Sequence, residues 1–172
     1  MPISYVEEIA SEYYRLKGYF IQRDYTYRKQ TKNVGKPTGW KDIDIIAIND
    51  KEVLVIECKS QVREKNKARH IINSMLSACK EVSKMPIVKK RGLGIKKILV
   101  VDKSGYYYSV KKHLQTIEGA GFKIIDLIDL AKDIIKILNE RTTLGKEENT
   151  ATRTIKALID WNLINLEHEK VE

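Results

Sequence analysis

Cysteine is nearly absent from this chain. Only Cys58 and Cys79 occur in 172 residues, with no CxxC pair, which argues against a disulfide framework or a cysteine-based zinc site. The three histidines, His70, His113 and His168, lack ligand-like spacing and are expected at the surface. No stretch approaches the roughly 18 consecutive apolar residues of a membrane-spanning helix. The opening Met1–Glu8 has neither the basic nor the apolar region of a secretory signal. These absences lead to an expectation of a cytoplasmic protein without a membrane partner. No internal repeat or low-complexity segment is visible, and the length suits one real core with a small appendage.

Acidic residues are scarce in one particular place. Between Ser60 and Lys97 eleven Lys and Arg stand against Glu64 and Glu81, a net +9 that equals the formal charge of the whole chain. The remainder therefore sums to zero. A solvated Lys-rich helix and loop accounts for such a segment; so does a phosphate-tracking surface, and because the excess starts directly after Lys59, that surface is expected beside the residues discussed next. Arg28, Lys29, Lys32 and Lys36 add a second acid-free basic stretch, in a Gly- and Pro-containing connection.

Hydrophobic periodicity gives the element order. An amphipathic helix is expected from Ser4 to Lys17, with Ser4 as N-cap, Glu7 in capping-box position and Gly18 as terminator. A strand follows over Tyr19–Tyr27, then a hairpin of Asp42–Ile48 and Val53–Lys59 turning through Asn49-Asp50-Lys51-Glu52. A helix over Arg63–Ser83, a basic loop carrying Lys89, Lys90 and Arg91, a buried strand over Lys97–Asp102, and a helix over Tyr106–Gly119 come next. A short strand at Phe122–Ile125 and a helix over Asp126–Glu140 complete the series. The expected fold class is α/β, a mixed central sheet flanked by helices, with one domain over residues 1–140. Residues 141–172 read as a linker and C-terminal helical extension, its helix spanning Thr150–Leu163. That helix is weakly similar to the second helix of helix-turn-helix modules; docking on the core or on a second subunit is the alternative.

The hairpin carries the chemistry. Its apolar runs contain Asp42, Asp44, Glu57 and Lys59, charges that cost several kcal/mol per ion to bury unless compensated. Residues two apart share a strand face, so Glu57, Lys59 and Gln61 align, as do Asp42 and Asp44. Antiparallel pairing sets Asp44 beside Glu57. Two carboxylates with a backbone carbonyl, that of Cys58, form an oxygen-rich site for Mg²⁺, and Lys59 can serve water or phosphate. Removing one of two mutually repelling carboxylates is expected to leave the fold intact. For Asp42 a solvated position competes with a ligand role. For Glu57 and Lys59 a purely structural ion pair competes. Cys58 itself is expected in the core.

The Asp44…Glu57-Cys58-Lys59 pattern resembles the PD-(D/E)xK nuclease superfamily. Asp44-Ile45-Ile46-Ala47 with Ile56-Glu57-Cys58-Lys59-Ser60 is most similar to archaeal Holliday junction resolvases and Mrr-type restriction endonucleases. Asp42 stands in place of the superfamily's Pro. The resemblance covers roughly residues 1–102 and implies a restriction-endonuclease-like αβββαβ core. It also implies a metal-dependent DNA endonuclease using Mg²⁺, with Mn²⁺ able to substitute, and a homodimer cutting both strands; a catalytically silent DNA-binding protein on the same fold and an RNA-directed nuclease are the alternatives. Those families carry a helix Glu ten or eleven residues before a Gly-aromatic pair; Glu7, eleven before Gly18-Tyr19, matches, with Glu8 the fallback. DNA contacts are expected from Gln61, Arg28, Lys29, Lys32, Lys36, Arg63, Lys89, Lys90 and Arg91.

Overall fold

The computed structural model describes residues 4–28, 39–60, 62, 65–103, 108–141 and 150–160. Helix α1 spans Tyr5–Leu16, followed by strands β1 (Phe20–Arg28), β2 (Trp40–Ile48) and β3 (Glu52–Lys59). Helices α2 (Lys65–Val82) and α3 (Pro86–Arg91) lead to β4 (Gly94–Val101). Then come α4 (Tyr108–Gly119), β5 (Phe122–Asp126), α5 (Leu127–Asn139) and α6 (Thr150–Asp160). The five strands form one mixed sheet in the order β1-β2-β3-β4-β5. The first three pair antiparallel, while β3, β4 and β5 run parallel. No described helix is long and apolar enough to cross a membrane.

Local signals explain the boundaries. Ser4 Oγ accepts the Glu7 N–H at 3.3 Å and starts α1. Gly18, at φ +85°, ends it: Tyr19 N–H reaches Tyr14 O and Gly18 N–H reaches Arg15 O, the paired bonds of a Schellman turn. Asn49 Oδ1 accepts from both Lys51 and Glu52 amides and so fixes the hairpin turn. Asp126 caps α5 through Ile128 N–H.

Each face of the sheet buries its own core. Helix α1 and helix α5 cover one face through Val6, Ala10, Tyr14, Leu127 and Leu130, against Ile45, Ala47, Leu54, Ile56 and Ile98. Helices α2 and α4 cover the other through Ala68, Ile71, Met75, Leu114 and Ile117, against Ile46, Val53, Val55 and Leu99. Helix α6 docks on α5 and α1: Thr152 is fully buried, with its hydroxyl on the Glu12 carboxylate, and Arg141 reaches Leu16 O at 3.5 Å. Among the described residues the C-terminal helix thus packs on the core.

Two expectations change. Lys89, Lys90 and Arg91 belong to a short helix, not a loop, because Pro86 opens the turn and Gly92 closes it at φ +62°. The regular alternation of β1 and β2 also fails. Tyr19 and Ile21 pack with the α1 side, yet Tyr25 and Tyr27 pack with the α2 side; Ile45 and Ala47 contrast with Ile43 in the same way. The side-chain phase slips at Asp24, which takes φ +50°, and at Asp44 opposite, both absent from the ladder. An aspartate tolerates that left-handed backbone better than most residues.

Candidate active site

The slip at Asp44 matters because the β2–β3 ladder ends there. Its last pair is Ile45 with Ile56, so the Cys58 N–H has no β2 carbonyl to meet. Asp44 supplies a carboxylate instead, and Oδ2 accepts that N–H at 2.7 Å. The same Oδ2 lies 3.3 Å from Lys59 Nζ. Glu57 Oε1 lies 2.7 Å from Nζ, and the Cys58 carbonyl accepts from Nζ at 2.9 Å. Three oxygens, from Asp44, Glu57 and the Cys58 backbone, therefore surround one cationic centre.

The charges around that centre do not balance. Burial first, then the Asp44 charge, push the Glu57 carboxyl above its usual range; Lys59 offsets this in part, and Glu7 adds to it. For Lys59 burial works against the ammonium, but Glu57 and then Asp44 outweigh it and hold its pKa well above the usual lysine value. Among the described residues Asp44 and Glu57 thus share one ammonium while the charge of Glu7 reaches Glu57, a local excess of negative charge. Cys58 faces away from Glu57 into the α1-side core, as a core residue, and burial pushes its thiol up.

Of the two adjacent glutamates on α1, Glu7 is the one whose charge reaches Glu57 and Cys58. Glu8 instead pairs with Arg23 at 3.1 Å. Asp42 is exposed, paired in register with Thr26, and stands outside the group around Nζ; the slip at Asp44 breaks the shared face expected for the two aspartates. Asp102, at the end of β4, was not singled out by its local sequence. Its N–H reaches Lys59 O at 3.4 Å and its carboxylate accepts Tyr5 O–H at 3.0 Å, so it borders the site. The usable signal was its position, an acid at the carboxyl end of an apolar parallel strand.

The basic residues divide. Arg28 ends β1 and lines a cavity of about 550 Å³ with Tyr27, Asn73, Lys80 and Lys84. Lys89, Lys90 and Arg91 lie at the opposite end of the sheet from Lys59. They precede Gly94, which pairs with Glu52, and Arg91 reaches Asp50 in the hairpin turn at 2.7 Å. Helix α2 returns the chain along the sheet before β4 can run parallel to β3, so proximity to Lys59 in sequence is lost in space. The expected surface beside the acids does not include these three. Lys29, Lys32, Lys36, Gln61 and Arg63 lie outside the described residues.

An all-oxygen donor set around a cationic centre suits a hard divalent ion such as Mg²⁺ or Mn²⁺. Among the described residues no three His, Cys, Asp or Glu side chains form a metal-holding group, so the set requires the Cys58 carbonyl. Compared with protein-family models, curated proteins and solved structures, the chain finds no match.

Proposed function

We propose that this protein is a metal-dependent endonuclease that hydrolyses DNA phosphodiester bonds, on a restriction-endonuclease-like fold, working as a homodimer. One observation carries the reading: the Asp44 and Glu57 carboxylates and the Cys58 carbonyl converge within 3.3 Å of Lys59 Nζ. The resemblance of Asp44…Glu57-Cys58-Lys59 to the PD-(D/E)xK motif supports it. Asp44, Glu57 and the Cys58 carbonyl would hold the cation, which when bound supplies charge neutralisation at the phosphate and a more acidic water.

The chain's own residues do the rest. Lys59 now sits at the centre of the donor set, so its present position and a bound cation exclude each other. Released from Glu57, its ammonium keeps a proton at Nζ and pairs with a non-bridging phosphate oxygen. Glu7 accepts a hydrogen bond from water approaching the phosphorus and orients it. Burial of Glu57 keeps solvent from competing with these contacts. Asp44 holds the register of the donor set by capping the Cys58 N–H.

The experiment is a cleavage panel of duplex, junction, flap and single-stranded DNA, with RNA counterparts, under Mg²⁺, Mn²⁺ or EDTA. Wild-type protein is compared with Asp44→Asn. Metal-dependent DNA cleavage that the variant lacks supports the reading. Cleavage of RNA alone, or binding without any cleavage by wild type, sinks it.

A further inference from the structure

The opposite end of β3 holds a second constellation. Helix α1 runs back along the sheet, so that Glu7 stands at the acid site while Tyr13, Tyr14 and Lys17 stand at the far end. There they border a basin of about 380 Å³, completed by Tyr19, Asn49, Glu52, Leu54, Lys96, Ile98, Lys123 and Ile125. At about 3.3 Å per strand residue, Glu52 lies roughly 17 Å along β3 from Glu57. The volume falls within the range of small-molecule sites, about 300–1,000 Å³.

The lining is layered. Leu54, Ile98 and Ile125 form an apolar floor. Tyr13, Tyr14 and Tyr19 form an aromatic wall of edge-to-face contacts, with ring centroids 5.0 and 5.5 Å apart. Lys17, Lys96 and Lys123 are exposed at the rim. Among the described lining residues the one acid is Glu52, already occupied by Tyr19 O–H at 2.6 Å and Lys96 Nζ at 2.5 Å. Burial and then Glu52 push the Tyr19 hydroxyl up to about 12, so it stays a donor at neutral pH. Asp133, outside this lining, accepts the Tyr13 O–H at 3.3 Å; three lysines against these two engaged carboxylates leave the described rim cationic, and Lys89 and Lys90 extend the positive charge at this end of the sheet.

We propose that this basin binds a ligand of nucleotide chemistry, its ring against the tyrosine wall and apolar floor and its phosphate on Lys17 and Lys123. A planar ring gains from aromatic contact whatever its hydrogen-bonding edge, and lysine ammoniums are point charges suited to phosphate. The inference stands apart from the nuclease reading, since it uses none of the residues around Lys59. A free mononucleotide and the terminal nucleotide of a strand share this chemistry.

The test is calorimetric titration of the full chain in EDTA. The probes are AMP, GMP, CMP and UMP, then adenosine and inorganic phosphate alone, then a short 5′-phosphorylated single-stranded oligonucleotide. Saturable binding of at least one mononucleotide or of the oligonucleotide is expected, tighter than adenosine or phosphate alone. Lys17→Glu/Lys123→Glu should weaken it by at least about tenfold, a difference of about 1.4 kcal/mol, while Asp44→Asn leaves it unchanged. Both lysines are exposed, and Lys17→Ala/Lys123→Ala serves if the charge reversal perturbs folding. Tighter binding of the mononucleotide assigns a free ligand; tighter binding of the oligonucleotide assigns a strand end. The proposal fails if nothing binds saturably, if phosphate alone binds as well as the nucleotides, if the lysine variants bind normally, or if Asp44→Asn removes binding.

Discussion

Glu52 and Glu57 sit five residues apart on one strand, and their surroundings shift them in opposite directions. Glu52 has Lys96 and the Tyr19 hydroxyl as partners, and both hold its carboxyl below the usual range. Glu57 has a lysine partner at 2.7 Å as well, yet burial and the Asp44 charge push it above that range. A carboxylate with its own cation is a finished interaction. A buried carboxylate that must share its cation with another carboxylate is an unfinished one, and the place where a further positive charge gains most.

The sharpest way to break this contrast is to neutralise each glutamate in turn. Glu57→Gln and Asp44→Asn should each reduce metal-dependent cleavage by roughly a hundredfold or more, whereas Glu52→Gln should leave the rate near wild type. Equal rates across the three, measured under saturating Mg²⁺, would remove the distinction between the two ends of β3.

Lys59→Met should also abolish cleavage, and it adds a stability effect. Breaking a buried pair costs about 3–5 kcal/mol; partial exposure of Lys59 lowers the expectation to about 2 kcal/mol, read by urea unfolding in EDTA. The loss should shrink in Mg²⁺, since a cation bound to the folded state substitutes for the ammonium. Because the folded pKa of Lys59 is raised, its contribution is fully present below the ordinary value of 10.5 and is lost only as pH climbs through the higher folded value. A wild-type minus variant difference that already fades at neutral pH would contradict the pairing.

A third comparison separates two adjacent carboxylates. Glu7→Gln should slow turnover about tenfold without moving the melting temperature, since Gln also satisfies a capping box. Glu8→Gln touches only the partly exposed pair with Arg23 and should leave turnover unchanged. Reversal of that order would move the helix contribution from Glu7 to Glu8.

The smallest effect belongs to Glu52. Its depressed pKa means stability that is present above the unfolded value of about 4.5 and lost as pH falls through the lower folded value. The difference in unfolding free energy between wild type and Glu52→Gln should be about 0.5 kcal/mol at neutral pH, given the exposure of Lys96. It should vanish in acid. Glu57 works in the reverse sense: its raised pKa makes ionisation cost stability as pH rises past the ordinary value. A Glu52→Gln difference that grows in acid would mean the wrong sign was assigned.

Asp44 also corrects a simpler expectation. Relief of repulsion alone would let Asp44→Ala leave the fold untouched, but the carboxylate satisfies the Cys58 N–H at 2.7 Å. Losing it strands a buried donor, a cost of about 1–3 kcal/mol. Asp44→Asn, which keeps an acceptor, is therefore the cleaner probe of the site.

The linear sequence determined the element order apart from α3, the α1 cap and terminator, the hairpin turn and the placement of Asp44 beside Glu57. Each rests on short-range geometry: helical and strand periodicity, turn chemistry, and the register of two strands joined by a short loop. Tertiary structure alone decided which acids share Lys59. A slip of strand phase at Asp24 and Asp44 turned Asp44 toward the Cys58 N–H and left Asp42 in solvent, and periodicity carries no signal for a slip. It also moved Lys89, Lys90 and Arg91 to the far end of the sheet, because a parallel crossover must carry the chain back before the next strand begins. The tyrosine–lysine basin was beyond local reading for the same reason. Its walls come from the end of one helix and the starts of three strands, residues that become neighbours only when the sheet closes against α1.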